Sequence, residues 1–572
     1  MKGTRMRQPC ACTLRVLAGL TLTLCGTSLG CAGNKIASRT GSNAQKPVSA
    51  EAFDSRDLRQ VEIALSETDW EKLRWQGRSL SRVYAGCFDF EGFDYFDATV
   101  TIDGETVDHV AVRKKGFLGS LSTTRPSLKV DFGRGQYGQR SFHGQRRWTL
   151  NNNKQDLSNV RQCLSYELFA RAKIKAPLCG FARVTAQGKD RGIYTHLEPI
   201  KKPFLRRAFG DDSGNLYEGQ VADFNAGLAA NFEAKTNKSR NDRSDIQAVV
   251  DALAVDDTEV WSSINTVIDG DEFLSFWAME VLLGHWDGYS GNQNNFYLYH
   301  HPTDGLFHFI PWGTDGAFVS GHGEHSGTIP KSTYGASELT HRLWKIPEVR
   351  ALYQDRLRKL MDELWDKGEI DAEVDRMGHL TGAPEAQLQL VKQFVDQRQS
   401  VLETELKGTI VDWPEAPRRS PNVCVDPPAT HGTFELKWSD THAYSAEGQF
   451  DFELAIAGRP VLLDSGSFSA AGPVQELDDP TFGMPRIAFS GTNSTTGRLV
   501  WVGLYVSDSL WAPGEIPFHG YEVFGIVIEP LPSGGYRRLG VIGDGAIILK
   551  EAGRTNGAAV KGEWKGTVAT TL

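Results

Sequence analysis

The feature that most constrains the fold is a proline-rich interruption at Trp413–Thr430, which contains Pro414, Pro417, Pro421, Pro427 and Pro428. Proline removes a backbone donor and disfavours helix at the preceding residue, so no long helix continues through this stretch. The periodicity before it is helical, whereas the segments after it are short, β-rich and separated by turn residues. We predict a folded domain over residues 51–412, a linker over 413–430 and an all-β, sandwich-like domain over 431–572.

Within the first domain the pattern changes from strands to helices. Val61–Leu65, Tyr95–Ile102 and Val107–Arg113 have the composition of strands, and Asp103-Gly104 supplies a tight turn. Helical periodicity dominates later, in Ser158–Ala172, Asp271–Gly284, Pro347–Gly368, Ile370–Met377 and Pro384–Leu406, with Ser158 and Asp271 as candidate N-caps. The sequence therefore predicts an α+β domain with a β-rich first lobe and an α-rich second lobe.

The N-terminus is typical of an exported protein. Residues 1–30 combine basic residues, an apolar run at Leu14–Leu24 and small residues, as a signal peptide does. Ser28-Leu29-Gly30-Cys31 is similar to a lipobox, so the mature chain is either lipid-anchored through Cys31 or free, with residues 31–50 as a polar tether. No later segment approaches the roughly 20 apolar residues that a spanning helix needs.

Net charge and cysteine content narrow the possible functions and the cellular compartment. The net charge is −9, which gives no electrostatic argument for nucleic-acid binding, and we expect none. Beyond Cys31 the cysteines are Cys87, Cys163, Cys179 and Cys424, whose scattered spacing makes no metal motif. One or two disulfides are expected outside the cytoplasm, and we hypothesise that Cys163 pairs with Cys179.

A local basic, glycine-rich segment lies between Arg113 and Lys154. It contains 10 basic residues against one acid, Asp131, together with 6 glycines. Positive charge and close backbone approach suit a polyphosphate, although a solvated basic face with hairpin turns would have the same composition. Both interpretations stay open at this point.

A second constellation extends from His285 to Phe318 and consists of a loop, a hairpin and a second loop. Antiparallel pairing of Asn295–His300 with Leu306–Ile310 would bring Asp287, Asn292 and Asp315 together. The order matches a kinase active site, in which a loop Asp is followed five residues later by a metal-binding Asn and, after a hairpin, by a metal-binding Asp. Mg²⁺ prefers such oxygen ligands, but Asp and Asn also serve as caps and turns.

Histidines suggest zinc only weakly. His300, His301 and His308 stand near the hairpin, and His322-Gly-Glu-His325 follows it, yet neither group has a four-ligand spacing. We interpret them as strand and loop histidines. Serine-hydrolase and HExxH metalloprotease motifs are lacking from the sequence.

Over Val61–Leu406 the chain resembles the CotH family, atypical secreted protein kinases of the spore-coat-protein-H type. The matching segments are, in order, Val61–Leu65 with Asp69-Trp70, Val112–Gly116, Ser127–Phe132, Leu150–Asn153, Gly192–Tyr194 with Glu198, Asp287–Tyr299, Ile310–Trp312 and Asp315. The resemblance implies a divergent, two-lobed kinase-like fold that uses ATP and Mg²⁺ or Mn²⁺ to phosphorylate Ser or Thr of exported proteins.

The resemblance also implies roles for single residues. Asp287 matches the catalytic Asp and Asn292 a metal-side ligand. Many relatives have an acid where this chain has Gly313, so the second metal role either shifts to Asp315 or is lost. Lys115 and Lys129 are alternative phosphate-binding lysines, and Glu198 is the candidate ion-pair partner.

Two other functional classes are compatible with the sequence. One is a catalytically inactive scaffold of the cell envelope, which Gly313 and the lipoprotein-like N-terminus favour. The other is a surface protein that binds a glycan or a protein through its β domain, for which the sequence contains no ligand motif.

Overall fold

The computed structural model describes residues 53–88, 92–134, 140–319, 330–408, 412–421, 423–441, 444–445, 447–464, 466–474, 484–531 and 535–570. Residues Pro47–Leu572 form one compact unit. The signal peptide, Cys31, the tether and the His322–His325 motif lie outside the described residues. Among the helices that are described, none has the length and apolar character to span a membrane.

The first part of the chain forms a closed seven-stranded β-barrel. Its elements are β1 (Leu58–Ala64), α1 (Glu67–Trp75), α2 (Leu80–Tyr84), β2 (Phe96–Ile102), β3 (Glu105–Lys115), β4 (Ser127–Asp131), β5 (Arg147–Asn151), α3 (Arg161–Arg171), β6 (Cys179–Ala186) and β7 (Lys189–Leu197). The strand order is β1-β2-β3-β4-β5-β7-β6, and β6 closes the barrel by pairing in parallel with β1. Inward residues such as Val61, Val112 and Leu150 fill its core.

An α-rich part follows the barrel. Its elements are α4 (Lys202–Phe209), β8 (Asn215–Gly219), β9 (Glu233–Ala234), α5 (Ser244–Leu253), α6 (Val260–Ile264), α7 (Gly270–Leu282), α8 (Tyr289–Asn292), β10 (Phe296–His300), β11 (Phe307–Pro311), α9 (Glu338–Trp344), α10 (Pro347–Leu364), α11 (Lys367–Thr381) and α12 (Glu385–Lys407). The predicted hairpin forms as β10 and β11, and β8 pairs with the free edge of β10.

Two predicted N-caps are wrong by a few residues. The cap of α7 is Asp269, whose side chain accepts a hydrogen bond from the Glu272 N–H, so the helix begins before Asp271. At α3 the carboxylate of Asp156 accepts from the Arg161 N–H at 2.8 Å, so the helix begins after Ser158. In both helices the carboxylate that accepts from the first turn comes from a residue just before the predicted helix, not from the residue that periodicity indicates.

The C-terminal part is all-β. Its strands are β12 (Ala429–Ser439), β13 (Gln449–Glu453), β14 (Ala455–Ile456), β15 (Arg459–Pro460), β16 (Ser467–Val474), β17 (Met484–Thr492), β18 (Leu499–Val506), β19 (Gly514–Pro517), β20 (Val523–Pro530), β21 (Tyr536–Ala552) and β22 (Ala559–Thr570).

The predicted sandwich would have two separate sheets, but nine of these strands belong to one sheet. Strand β22 pairs with both β12 and β21, and β12 also pairs with β16, so the hydrogen-bonded path returns on itself. Register shifts near Gly543 and Leu549 occur in the long β21 strand, and bulges of this kind increase bending.

One disulfide lies within the barrel part, and a second disulfide and an apolar interface join the barrel part to the C-terminal segments. Cys163–Cys179 ties α3 to β6, which confirms the hypothesised pairing. Cys87–Cys424 connects the segment after α2 to the proline-rich linker. Leu80 and Leu118 pack in one cluster with Trp501 and Tyr505, so the C-terminal sheet is docked against the barrel side of the molecule.

Candidate active site

The loop after α7 is held by a buried carboxylate. Glu280, in the last turns of α7, accepts from the Tyr289 N–H at 2.9 Å, the Ser290 N–H at 2.8 Å and the Ser290 hydroxyl at 2.5 Å. Burial raises the pKa of Glu280 to about 7, while the bonds from Ser290 and Tyr289 oppose that rise. This contact fixes the start of α8 and therefore the position of Asp287 just before it.

Three asparagine amides surround Asp287. Its Oδ1 accepts from Asn292 Nδ2 at 2.6 Å and from Asn294 Nδ2 at 3.2 Å, and its Oδ2 accepts from Asn295 Nδ2 at 2.6 Å. Burial raises the pKa of Asp287, and the three amides act in the opposite direction by favouring the carboxylate. The kinase-like spacing predicts a role for Asn292 but none for Asn294 and Asn295, although both stand in the same asparagine-rich run.

Asp315 lies in the short helical turn Thr314–Gly316 that follows β11. Burial raises its pKa to about 6, and the negative charges of Asp156 and Asp287 raise it further, whereas Lys115 lowers it. Asp315 and Asp287 are therefore close enough to repel each other electrostatically, a property of sites that attract cations.

Gly313 cannot be exchanged for an acid without rearranging this centre. Its φ is 56°, in the left-handed region, and a Cβ added there would lie 2.5 Å from Asn295 Oδ1. The same Asn295 side chain donates to Asp287. In this chain the amide of Asn295 therefore fills the space beside residue 313.

A chain of hydrogen bonds connects the barrel to Asp315. Lys115 Nζ donates to Asn151 Oδ1, Asn151 Nδ2 donates to Gln162 Oε1 at 3.0 Å, and Gln162 Nε2 donates to Asp315 Oδ1 at 3.1 Å. Burial lowers the pKa of Lys115 to about 8, against the opposing influence of Asp315 and Glu218. Lys115 is thus a half-buried cation that is connected to Asp315 through Asn151 and Gln162.

Lys129 has a more cationic environment. It lies opposite Arg113 in the β3–β4 register, and burial together with Arg113 lowers the pKa of Lys129 to about 7. Glu218 on β8 opposes this shift by raising the pKa of Lys129, and Glu218 also pairs with Lys235.

Glu198 does not meet either lysine. Its carboxylate accepts from Arg207 Nη2 at 2.6 Å and from the Leu178 N–H at 3.1 Å. The predicted Lys–Glu198 ion pair is therefore wrong, because the Glu198 carboxylate forms its ion pair with Arg207 on α4. Glu218, which the sequence analysis missed, is the acid that acts on both Lys115 and Lys129.

Arg418, from the proline-rich linker, reaches this centre. Its guanidinium donates to Asn292 Oδ1 and lowers the pKa of Asp287. Its carbonyl accepts from Asn225 Nδ2 at 3.0 Å, and the adjacent Arg419 forms a two-bond ion pair with Glu338 at 2.7 and 2.6 Å. The linker thus places a positive group on the oxygen that was predicted to bind metal.

The donor set fits a hard divalent cation. Asp287 and Asp315 could supply carboxylate oxygens and Asn292 an amide oxygen, although that amide oxygen accepts from the Arg418 guanidinium. Oxygen-only ligands of this kind suit Mg²⁺ or Mn²⁺ rather than a softer metal.

The site and its order along the chain define a CotH-type protein, and comparison with known proteins agrees. The CotH kinase protein family matches residues 112–405, more than half of the 572 residues, and the chain belongs to that family. It is 27% identical over 241 residues to the inner spore coat protein H of Bacillus subtilis (strain 168), an alignment that covers 40% of this chain and 66% of the relative. The chain therefore spans just under two thirds of that relative's length.

A solved structure was also matched, the Helicobacter pylori proinflammatory kinase CtkA. The alignment covers 51% of this chain and 94% of that one, at 12% sequence identity and a TM-score of 0.26.

Proposed function

We propose that residues 51–412 form a two-lobed, kinase-like domain that transfers the γ-phosphoryl group of ATP to a Ser or Thr hydroxyl of an exported or envelope protein. The barrel would be the first lobe and the α-rich part the second. The observation that carries the proposal is the hydrogen-bond chain from Lys115 to Asp315, because it joins a lysine of the basic segment to the acidic centre that contains Asp287.

The surroundings of each residue support one proposed role. Three amides favour the carboxylate form of Asp287, which would orient the acceptor hydroxyl and take its proton. Asn292 and Asp315 would hold the metal ion, and Lys115 would contact the phosphates. A divalent ion bound at this centre would supply positive charge to the phosphate oxygens.

Lys115 is the stronger candidate for the phosphate-binding lysine. Its pKa is lowered only to about 8, whereas that of Lys129 falls to about 7 beside Arg113. At neutral pH Lys115 therefore keeps its charge more fully. It is also the one connected through Asn151 and Gln162 to Asp315.

The test is incorporation of label from γ-labelled ATP by the mature protein, with Mg²⁺ or Mn²⁺ and Ser-rich acceptor proteins. Wild type is compared with Asp287→Asn, Asp315→Asn and Lys115→Met, with Lys129→Met as the matched lysine control. We expect loss of label in the first three variants and residual transfer in Lys129→Met. Absence of transfer in wild type under both metals would contradict the proposal.

An inactive envelope scaffold is the second candidate, favoured by Arg418 on the predicted metal ligand and by Gly313 at the position of an acid. Nucleotide binding that is insensitive to Mg²⁺ or Mn²⁺, without turnover, would identify this alternative. The surface-binding role of the β domain stays a prediction from the sequence.

The proposed location is outside the cytoplasm, in the envelope or a spore coat. The inner spore coat protein H relative and the two disulfides support it, since disulfides persist in oxidising compartments. Attachment through Cys31 stays a prediction. The partners proposed are a nucleotide and a protein acceptor, with no nucleic acid.

A further inference from the structure

A second cluster of possible metal ligands lies at the closed end of the β10–β11 hairpin. His301 Nδ1 is 2.9 Å from Asp304 Oδ2, and His308 Nε2 is 3.3 Å from the same oxygen. These three ligand atoms all lie within 4.8 Å of one another. Two imidazole nitrogens and one carboxylate oxygen thus converge on a single point.

The hairpin itself explains the convergence. His301 follows the last residue of β10, and its N–H donates to the Leu306 carbonyl at 2.9 Å, while Asp304 Oδ1 accepts from the Leu306 N–H at 2.9 Å. This turn uses one oxygen of Asp304 and leaves the other facing the two histidines. His308 comes from β11, which the ladder fixes against β10.

A further carboxylate orients His308. Glu272 Oε1, on α7, lies 3.2 Å from His308 Nδ1, the ring nitrogen that does not face Asp304. Metal-binding histidines commonly bond an outer carboxylate through their second nitrogen, which fixes the ring and raises its basicity. The side chain of His308 is 10% exposed and that of Asp304 is 40% exposed, so the cluster is anchored on one side and open to solvent on the other.

We propose that His301, Asp304 and His308 bind a Zn²⁺ ion, with Glu272 as the outer carboxylate and solvent completing the coordination. Two nitrogens and one oxygen suit Zn²⁺, whereas the all-oxygen centre at Asp287 suits Mg²⁺. The ion joins both strands at their closed end, about 17 Å along a five-residue strand from the end that carries Asn295 and Asp315. The proposal does not depend on phosphoryl transfer.

The alternative is a metal-free cluster in which a protonated His308 donates to both Asp304 and Glu272. The titratable groups around His308 in the described part of the chain are these two acids, His301 and Asp269. A direct metal titration distinguishes the two states. They differ in metal affinity and in the effect of Glu272 on that affinity.

The experiment is a calorimetric titration of tag-free, metal-stripped mature protein with Zn²⁺, repeated with Co²⁺ to record its visible spectrum. We expect one tight site with a Co²⁺ spectrum that includes nitrogen ligands. His301→Ala and Asp304→Asn should abolish it, and Glu272→Gln should weaken it about 10–100-fold as an outer-shell residue does.

Two controls address the other histidines. His300→Ala removes a neighbouring imidazole that bonds the Gly305 carbonyl instead, and the pair His322→Ala/His325→Ala removes the motif outside the described residues. Both should retain full affinity. Circular dichroism checks that each variant is folded, and Asp304→Asn, whose side chain is 40% exposed, serves if His301→Ala unfolds. Absence of a tight site in wild type, or unchanged affinity in folded His301→Ala, would overturn the proposal.

Discussion

Gly313 is the residue on which the arrangement of Asn295 and Asp287 depends most directly. Its φ of 56° is costly for any residue with a Cβ, and that Cβ would lie 2.5 Å from Asn295 Oδ1. Strain of this kind costs about 1–3 kcal/mol before any displacement of neighbours. A residue with a side chain at position 313 would therefore displace Asn295, whose amide donates to Asp287.

We predict that Gly313→Ala lowers the free energy of unfolding by about 2–3 kcal/mol and reduces label transfer. The matched control is Gly188→Ala, which has a φ of 66° but no heavy atom within 4 Å of the added Cβ. It carries the backbone cost without the clash. Urea unfolding of both variants measures the difference, and equal losses would show that Asn295 moves freely out of the way.

Single residues also show the limit of sequence reasoning about the site. Asp287, Asn292 and Asp315 could be proposed from motif order and from a hairpin that spacing alone predicts. Glu218 could not be preferred to Glu198, because the choice depends on β8 pairing with β10, a contact between segments about 80 residues apart. Arg418 was missed because the linker was treated only as a spacer.

At the scale of elements, the linker behaves as an anchored strap over the acidic centre. Trp413 is buried near Tyr334, Arg419 pairs with Glu338, and Cys424 is bonded to Cys87. Between these anchors Arg418 donates to Asn292 Oδ1. The positive charge of the guanidinium would repel a divalent cation at that oxygen.

We therefore predict that Arg418→Ala tightens Mn²⁺ binding at this centre by about tenfold, the effect of removing one charge-assisted hydrogen bond. Mn²⁺ binding is measured by electron paramagnetic resonance with nucleotide present. Arg419→Ala is the control, because its guanidinium pairs with Glu338 instead. Weaker Mn²⁺ binding in Arg418→Ala would mean that the arginine supports the site rather than competing for it.

The sequence predicted most elements better than their arrangement. Helical periodicity located α7, α10 and α12, and the alternation of strand and turn residues located the β10–β11 hairpin. It could not show that β6 closes a barrel on β1 or that β22 joins both sides of the C-terminal sheet. Both are long-range pairings that local periodicity does not encode.

At the scale of the whole molecule, the Cys87–Cys424 disulfide closes a loop with a sequence separation of 337 residues. We predict that Cys87→Ser/Cys424→Ser lowers the free energy of unfolding by about 2–4 kcal/mol, since the crosslink restricts the unfolded chain. Chemical denaturation without reductant measures it. The control is the wild type with reductant, in which both disulfides are reduced. Its loss of stability should be close to that of the double variant if Cys163–Cys179 contributes less than Cys87–Cys424. An unchanged free energy would show that the interface alone holds the linker.

The interface between the barrel and the C-terminal sheet also contains a buried charge network. Glu522 accepts from the Thr123 N–H at 2.7 Å and lies 3.3 Å from His519 Nδ1 and 3.8 Å from Lys154 Nζ. On the other side of His519, Lys114 Nζ is 3.0 Å from Nε2. Burial raises the pKa of Glu522, but His519, Lys154 and Ser122 outweigh that effect and lower the pKa from 4.5 to about 2.

This shift predicts acid sensitivity with a defined direction. The folded pKa of about 2 lies below the unfolded value of 4.5, so the stabilisation is complete above pH 4.5 and is lost as pH falls towards 2. A shift of this size corresponds to about 3 kcal/mol as an upper value. Burial instead lowers the pKa of Lys114 to about 7, so its contribution changes between pH 7 and 10.5, outside the acid range.

We predict that Glu522→Gln removes the part of the loss of stability between pH 4.5 and 2 that comes from Glu522, up to about 3 kcal/mol, because the neutral amide does not titrate there. Urea unfolding at several pH values measures the profile. Glu551→Gln is the control, since Glu551 forms a surface ion pair with Lys561 at 3.4 Å and is half exposed. If both variants lost stability in acid as the wild type does, the buried network would not be the cause of the acid sensitivity of the interface between the barrel and the C-terminal sheet.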